Sequence, residues 1–532
     1  MKDFDKNFHL NFSPLYFAFV FMLFMLWASE ANGEEVEEVL VVGAVTEETQ
    51  TEPTQDFNII ETIMPTVSFV GGGYGGFSGF SERGTEISHT SVFRNGVPVN
   101  DAGNGWYDFA HDIATGLERV KLVNGANSVL YGSASMGGTV FITDTFENQA
   151  LVRRGSDHEL LNVVLFNSLS LTSFDVSNGS VKTDNDEEDW YENSTVKFGQ
   201  EWGGVKVNLD YTDYNYDYDN CFNEAFESSN NCLQSGEKGT LSIRNDKFTV
   251  GYSQNVSEYY SDEVQSWESI AERGYFDYKE TWKVGTPAAT LIVGATAEYE
   301  EYADSNQSTA SVYSSLAFGE QFQVGVRIAE DALIGRVGWQ LKSLFFNLGN
   351  SYRKPTLYEL AGDAWTLANP NLEPEEGFGL EFGWRALSVF TYNFSEGIDY
   401  DFENNQFINV GEYETQGIRY NDVFSVPWGG FKVFVAYTNS DQLRIPEFKT
   451  ELGYFASVNG WKFNINFNGM YERGSDFTGI ELDDVQSVDI GISKEIGRFN
   501  VSLSGREILD DAEVIPGYFN GGSQYFLTFT YR

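Results

Sequence analysis

A chain of 532 residues has room for two or more domains with sizeable cores. Its 33 basic and 79 acidic residues give a formal charge of −46, which argues against nucleic acid and against an anionic membrane surface as partners. Aromatic residues at 16%, 53 glycines and only 11 prolines are unlike a helical bundle, whereas a mean hydropathy of −0.31 is compatible with a transmembrane β-barrel, whose apolar face occupies alternate residues.

Leu15 to Trp27 is an apolar run followed by Ser29-Glu30-Ala31, with small residues where signal peptidase requires them. It is shorter than the roughly 20 residues a spanning helix needs, so residues 1–31 are expected to be a signal peptide and the chain to be exported. An uncleaved anchor is the alternative, because Asp3 and Asp5 offset Lys2 and Lys6. The only cysteines, Cys221 and Cys232, lie in an Asn- and Ser-rich stretch with no His nearby, so a disulfide is expected there in preference to a metal site.

After the cleavage site comes Glu34 to Ala44, EEVEEVLVVGA, an extended apolar peptide ahead of Thr- and Glu-rich sequence that reads as disordered linker through residue 56. Such a peptide either adds to a partner's sheet edge or forms the first strand of the next domain.

Residues 57–150 read as a small, glycine-rich α/β domain. GGGYGGFSGF at 71–80 is a loop carrying Tyr74, Phe77 and Phe80, and DAGNGWYD at 101–108 is a second loop carrying Asn104, Trp106 and Tyr107. These six residues are the candidate ligand contacts, with packing against a neighbouring wall as the other explanation. Asn95-Gly96 predicts a hairpin turn. In Glu118 to Thr143 an amphipathic strand, an Asn-Gly break and a run of small residues precede a β-branched strand. That run suits either a close-fitting plug or an ordinary glycine-rich connection.

From 151 to 532 the texture is alternating apolar and polar residues with short Gly, Asn and Asp turns, as in Val205 to Tyr211 and Trp461 to Phe467. This is the pattern of an antiparallel meander with one apolar face. The last strand, ending Phe529-Thr530-Tyr531-Arg532, can close a barrel.

Several ordered blocks resemble the TonB-dependent outer-membrane receptors. They are Arg83-Gly84-Thr85, Asn95-Gly96-Val97, Ser128 to Ser133 with Met136-Gly137-Gly138, Ile142-Thr143, and Ser351 to Leu360 followed by Asn369 to Glu375. Glu38-Val39-Leu40-Val41-Val42-Gly43-Ala44 is similar to that family's TonB box, which favours the sheet-addition reading. The resemblance implies an all-β transmembrane barrel of 22 strands in a Gram-negative outer membrane, with the plug domain in its lumen. Twenty-two strands fit only if the extracellular loops are short; otherwise the barrel is smaller.

The implied function is energised uptake of a scarce ligand, cobalamin or a related corrinoid first, a ferric siderophore, haem or glycan fragment otherwise. TonB, the barrel assembly machinery and a small-molecule ligand would be the partners of a monomer without enzymatic activity. A passive pore and a secreted soluble β-protein are the other readings. Thr183 to Asp186 is similar to a calcium-holding segment of the cobalamin-transporting members, so Asp184, Asp186, Asp189, Asp213, Asp217 and Asp219, expected in two neighbouring loops, are the candidate calcium ligands, with solvated acidic loops of a very acidic protein as the other reading. The chain departs from the family in carrying Asn95 in place of Asp, Asn124-Gly125-Ala126 in place of Arg-Gly-Pro, Phe141 in place of Asn, and Tyr531-Arg532 in place of a terminal Phe or Trp.

Overall fold

The computed structural model describes residues 41–42, 44, 46–50 and 67–70, and from 75 to the end all but 157, 178–189, 219–220, 223–227, 286–288, 330–331, 364, 476–478, 510–512, 516–517 and 520–522. The signal peptide, Glu38 to Leu40, Gly43, Tyr74, Asp184, Asp186, Asp189 and Asp219 lie outside the described residues.

A closed antiparallel barrel of 22 strands runs from Gln149–Gly155 to Gln524–Tyr531, and the last strand pairs with the first. It begins just ahead of the boundary expected at 151. Closure satisfies every strand edge internally, which is what allows a sheet to face lipid. In Gln524–Tyr531 buried and exposed residues alternate without a break, and the exposed set is Tyr525, Leu527, Phe529 and Tyr531. An apolar set that is exposed here is the lipid-facing side, as the period-2 reading requires.

The two ends of the barrel differ. At one end the connections are tight turns such as Gly203-Gly204, Lys342-Ser343 and Asn459-Gly460. At the other lie the long connections 354–374, 396–412 and 507–523, together with very short ones at 262–263 and 303–304. Short turns mark the periplasmic end and long loops the extracellular end of an outer-membrane barrel.

The lumen holds a five-stranded sheet ordered β1-β6-β7-β4-β5, where β1 is Thr46–Gln50, β4 Thr90–Arg94, β5 Val97–Pro98, β6 Glu118–Asn124 and β7 Gly138–Asp144. Two further strands, β2 (Val67–Val70) and β3 (Gly79–Glu82), form a separate hairpin, and a single helical turn, α1, spans Ser128–Tyr131. Phe80, Val92, Phe109, Leu122, Val140 and Ile142 are among the residues of the plug core.

Strand β1 corrects the linker expectation. Thr46 to Gln50 pairs antiparallel with β6 in register Thr46↔Val123, so part of the supposed leash is the edge of the plug sheet. Its polar composition misled because an edge strand with one neighbour needs ladder bonds more than apolar side chains.

The hairpin turn after β4 forms as read, with φ of 49° at Asn95 and 85° at Gly96. The small-residue run serves two different approaches. A Cβ on Gly125 would stand 2.7 Å from Asn347 of the wall, whereas one on Gly137 would stand 2.3 Å from Thr85 of the plug itself.

Candidate functional site

The floor of the lumen is where chain and wall meet most tightly. Val42 N–H donates to Gln323 Oε1 at 3.0 Å, and Arg336 Nη2 donates to the Val42 carbonyl at 2.8 Å. Arg336 Nη1 also donates to Gln323 Oε1 at 2.8 Å, so the two wall residues form one hydrogen-bonding plate. Gly338 makes the approach possible, since a Cβ there would sit 1.8 Å from the Val42 oxygen. Gln323 follows the turn at 319–321 and Gly338 precedes the turn at 342–343, so the contact lies toward the periplasmic end. Val41 is buried with Val123, Val129, Leu130 and Ile334, and Ala44 packs against the same cluster.

Above the floor, buried ion pairs join plug to wall. Arg83 Nη2 meets Glu381 Oε1 at 2.5 Å and Arg83 Nη1 donates to Tyr392 Oη at 2.8 Å, while Glu82 Oε1 meets Arg419 Nη1 at 3.2 Å. Arg94 bridges Asp112, Asp144 and Asp210, and Lys197 Nζ reaches Glu118 at 2.8 Å and Asp144 at 3.0 Å. Burial alone would push the Asp144 carboxyl up, but Lys197 and Arg94 outweigh it and hold it at about 2. Pairs this buried add little net stability over apolar packing, but losing one partner leaves an unpaired charge in a dry interface. They therefore fix where the plug sits.

At the extracellular end, Phe77 and Trp106 touch with ring centroids 5.5 Å apart, and Trp106 is 44% exposed. Asn104 is exposed beside them, and its Oδ1 accepts from Trp106 N–H at 2.9 Å. Phe80 and Tyr107 correct the expected ligand set. Both are buried: Phe80 packs edge-on against Phe109, and Tyr107 packs on Phe109 and donates its hydroxyl to Asp112 at 2.6 Å. The aromatic loop residues alternate between core and mouth, so neighbours in sequence have opposite roles.

Residues 40–139 match the family described as TonB-dependent Receptor Plug Domain. This chain has the plug and barrel of a TonB-dependent receptor. It is 25% identical over 369 residues to the vitamin B12 transporter BtuB of Photobacterium profundum, covering 60% of this chain and 59% of that protein. The corresponding transporter of Vibrio vulnificus is 23% identical over 368 residues, covering 58% of each. The chain thus matches under two thirds of the length of these curated relatives. Among solved structures, the siderophore receptor PirA from Acinetobacter baumannii superposes with a TM-score of 0.72 at 12% identity, over 93% of this chain and 100% of that one. The FrpB iron transporter from Neisseria meningitidis gives 0.71 at 11%, over 92% and 100%. At these identities the structures establish the fold, and the chain belongs in the outer membrane of a Gram-negative cell.

Of the expected calcium set only Asp213 and Asp217 lie among the described residues, and these two do not converge. Asp213 and Asp217 are not in a loop but in the barrel strand Val205–Tyr218, opposite Glu237 and Leu233 in the ladder. Four residues apart on a strand, they stand roughly 13 Å from one another, too far to share one ion. The Tyr-Asp alternation here is the inward-outward alternation of a strand, with Tyr214 and Tyr216 buried. Cys221 and Cys232 are joined by a disulfide, with Cα atoms 6.0 Å apart.

Two groupings escaped sequence reasoning. Gln323, Arg336 and Gly338 carry no motif; only a glycine inside a strand hinted at a close backbone approach. Glu86, His89 and Glu375 converge although Glu375 is far from the other two in sequence, because it arrives from a distant barrel strand.

Proposed function

We propose that this receptor takes up a scarce ligand by an energised cycle in which TonB engages Glu38 to Ala44. The observation that carries the reading is the pair of hydrogen bonds at the Val42 backbone, whose N–H donates to Gln323 and whose carbonyl accepts from Arg336. A peptide held at the periplasmic floor by two main-chain hydrogen bonds at Val42 is one that strand addition by a partner can replace bond for bond. Ligand arriving at Phe77, Asn104 and Trp106 shifts the population toward a plug whose floor contact is broken, and TonB then draws on the freed peptide.

Cobalamin or a related corrinoid is the preferred cargo. The curated relatives transport vitamin B12. The charge at the mouth agrees with that preference. Among the described residues of the extracellular connections only Lys354, Arg444 and Arg473 are basic, whereas Asp262, Glu263, Asp304, Asp399, Asp401 and Glu403 are among the many acids. Such a field slows the approach of polyanionic ferric catecholates and is indifferent to an uncharged corrinoid. A ferric siderophore of lower charge is the second reading.

The deciding experiment is deletion of Glu38 to Ala44 in cells, with cobalamin uptake and cobalamin binding measured separately. Uptake should vanish and binding persist; uptake that survives the deletion defeats the energised reading. Titrating the purified receptor with cobalamin against a panel of siderophores decides the cargo.

A further inference from the structure

On the extracellular side of the seam, Glu86 and His89 of the plug meet Glu375, the first residue of the barrel strand Glu375–Trp384, with their ligand atoms all within 4.8 Å of one another. His89 and Glu375 are fully buried and Glu86 is half-buried at the edge of the cluster. His89 Nε2 lies 2.7 Å from Glu375 Oε2, and the other ring nitrogen lies 2.8 Å from Tyr413 Oη. The imidazole stacks on Phe394 at a centroid distance of 4.9 Å and lies beside Tyr413 at 5.9 Å, and those two rings stack on each other at 4.7 Å, so its orientation is set by packing.

We propose that Glu86, His89 and Glu375 form a site for a divalent transition metal of the zinc type, which clamps the plug to the barrel wall. Three observations support this. The first is charge. Glu86, Glu359 and Glu375 face a single guanidinium, Arg353, which bonds Glu375 Oε2 at 2.5 Å and Glu359 Oε2 at 3.0 Å. Three carboxyl groups thus converge on one guanidinium and one imidazole, an arrangement in which a divalent cation can take up carboxylate oxygens that the guanidinium does not reach.

The second is the donor set. One imidazole and two carboxylates leave a coordination position open, as zinc sites that are not sealed by four protein ligands do. Calcium wants six to eight oxygens and does not favour imidazole, so this is not the calcium chemistry expected of the acidic loops. Zinc ligands at about 2.1 Å in a tetrahedron stand roughly 3.4 Å apart, so shifts of about 1 Å close the present arrangement on an ion.

The third is the outer layer. Tyr413 Oη lies 2.8 Å from His89 Nδ1 and 3.1 Å from Nε2, Ile398 N–H donates to Glu375 Oε1 at 2.7 Å, and Arg353 orients Glu375 Oε2. Partners of this kind fix ring orientation and carboxylate direction around a bound metal. Two ligands belong to the plug and one to the wall, so an ion here joins parts that must separate if the plug is to move.

The test uses the full-length receptor in detergent, stripped with EDTA and titrated with ZnCl2 by calorimetry. One equivalent should bind saturably and raise Tm, and an excess of calcium should not displace it. Glu86→Gln, at the half-exposed edge of the cluster, should keep the metal-free Tm while weakening zinc by roughly tenfold or more. His89→Gln should abolish the site. Cobalt in place of zinc should give visible absorption bands that both substitutions alter. Absence of saturable binding, or zinc affinity unchanged in Glu86→Gln and His89→Gln, overturns the proposal, since the ion is then held by other carboxylates or by none.

Discussion

Asn95 and Asp144 hydrogen-bond each other in both directions: Asn95 Nδ2 donates to Asp144 Oδ2 at 2.6 Å, and Asp144 N–H donates to Asn95 Oδ1 at 3.1 Å. Related receptors usually carry Asp at the first position, and the geometry explains why Asn suits this chain. The amide supplies a donor to a carboxylate that already serves Arg94 and Lys197. Asn95→Asp would set a second carboxylate against Asp144, and the backbone is no defence, since Asp tolerates the φ of 49° about as well as Asn. The substitution should cost about 1–3 kcal/mol of plug stability in a urea titration followed by a plug-specific probe.

Acid should loosen the plug through Asp144. A carboxyl held below its ordinary value of 3.8, at about 2, stabilises the folded state above the unfolded value and loses that stabilisation as pH falls through the folded one. Plug stability should therefore drop between pH 4 and pH 2. In Asp144→Asn that part of the drop should be missing, and an unchanged pH profile would show that other carboxylates control the transition.

The floor contact can be opened from the wall. The two cysteines are already joined, so a single Val41→Cys thiol reports on the segment alone. Gln323→Ala removes a bond to Val42, and Gly338→Ala places a methyl where the Val42 oxygen now lies. Either change should raise the labelling rate of that thiol by roughly tenfold, equivalent to about 1.4 kcal/mol. Equal rates in all backgrounds would mean that the segment leaves the floor unaided.

Phe80 and Trp106 should separate cleanly. Phe80→Ala empties a buried site and should cost about 3–5 kcal/mol of stability. Trp106→Ala removes a ring that is largely at the surface, so it should leave Tm nearly unchanged and weaken cobalamin binding by roughly tenfold. Binding that is insensitive to Trp106→Ala would move the ligand contacts onto the barrel loops.

Barrel strands such as Gln524–Tyr531 were legible because a lipid-facing wall forces strict alternation on a sequence. The Asn95-Gly96 hairpin was legible because few residue pairs accept two positive φ values. Strand β1 was not, because edge pairing rests on backbone and leaves its side chains free to be polar. Phe80 and Phe77 could not be told apart either: an aromatic on a glycine loop has the same sequence signature whether it points into the core or out of it. Contacts made by wall residues to a peptide some 280 positions away, as Gln323 makes to Val42, have no local pattern at all.

The extracellular rim is uneven. Val264–Val284 is the longest strand of the wall, and the strands on its side of the mouth are joined by the two-residue turns at 262–263 and 303–304. Further round the wall come the connections 354–374 and 396–412. Tight hairpins have almost no conformational freedom to surrender, whereas long connections have much. A ligand lying against the hairpin side meets a surface already shaped for it, and the entropic cost of capture falls on the long connections. A preformed surface and an adaptable one thus occupy two sectors of one opening.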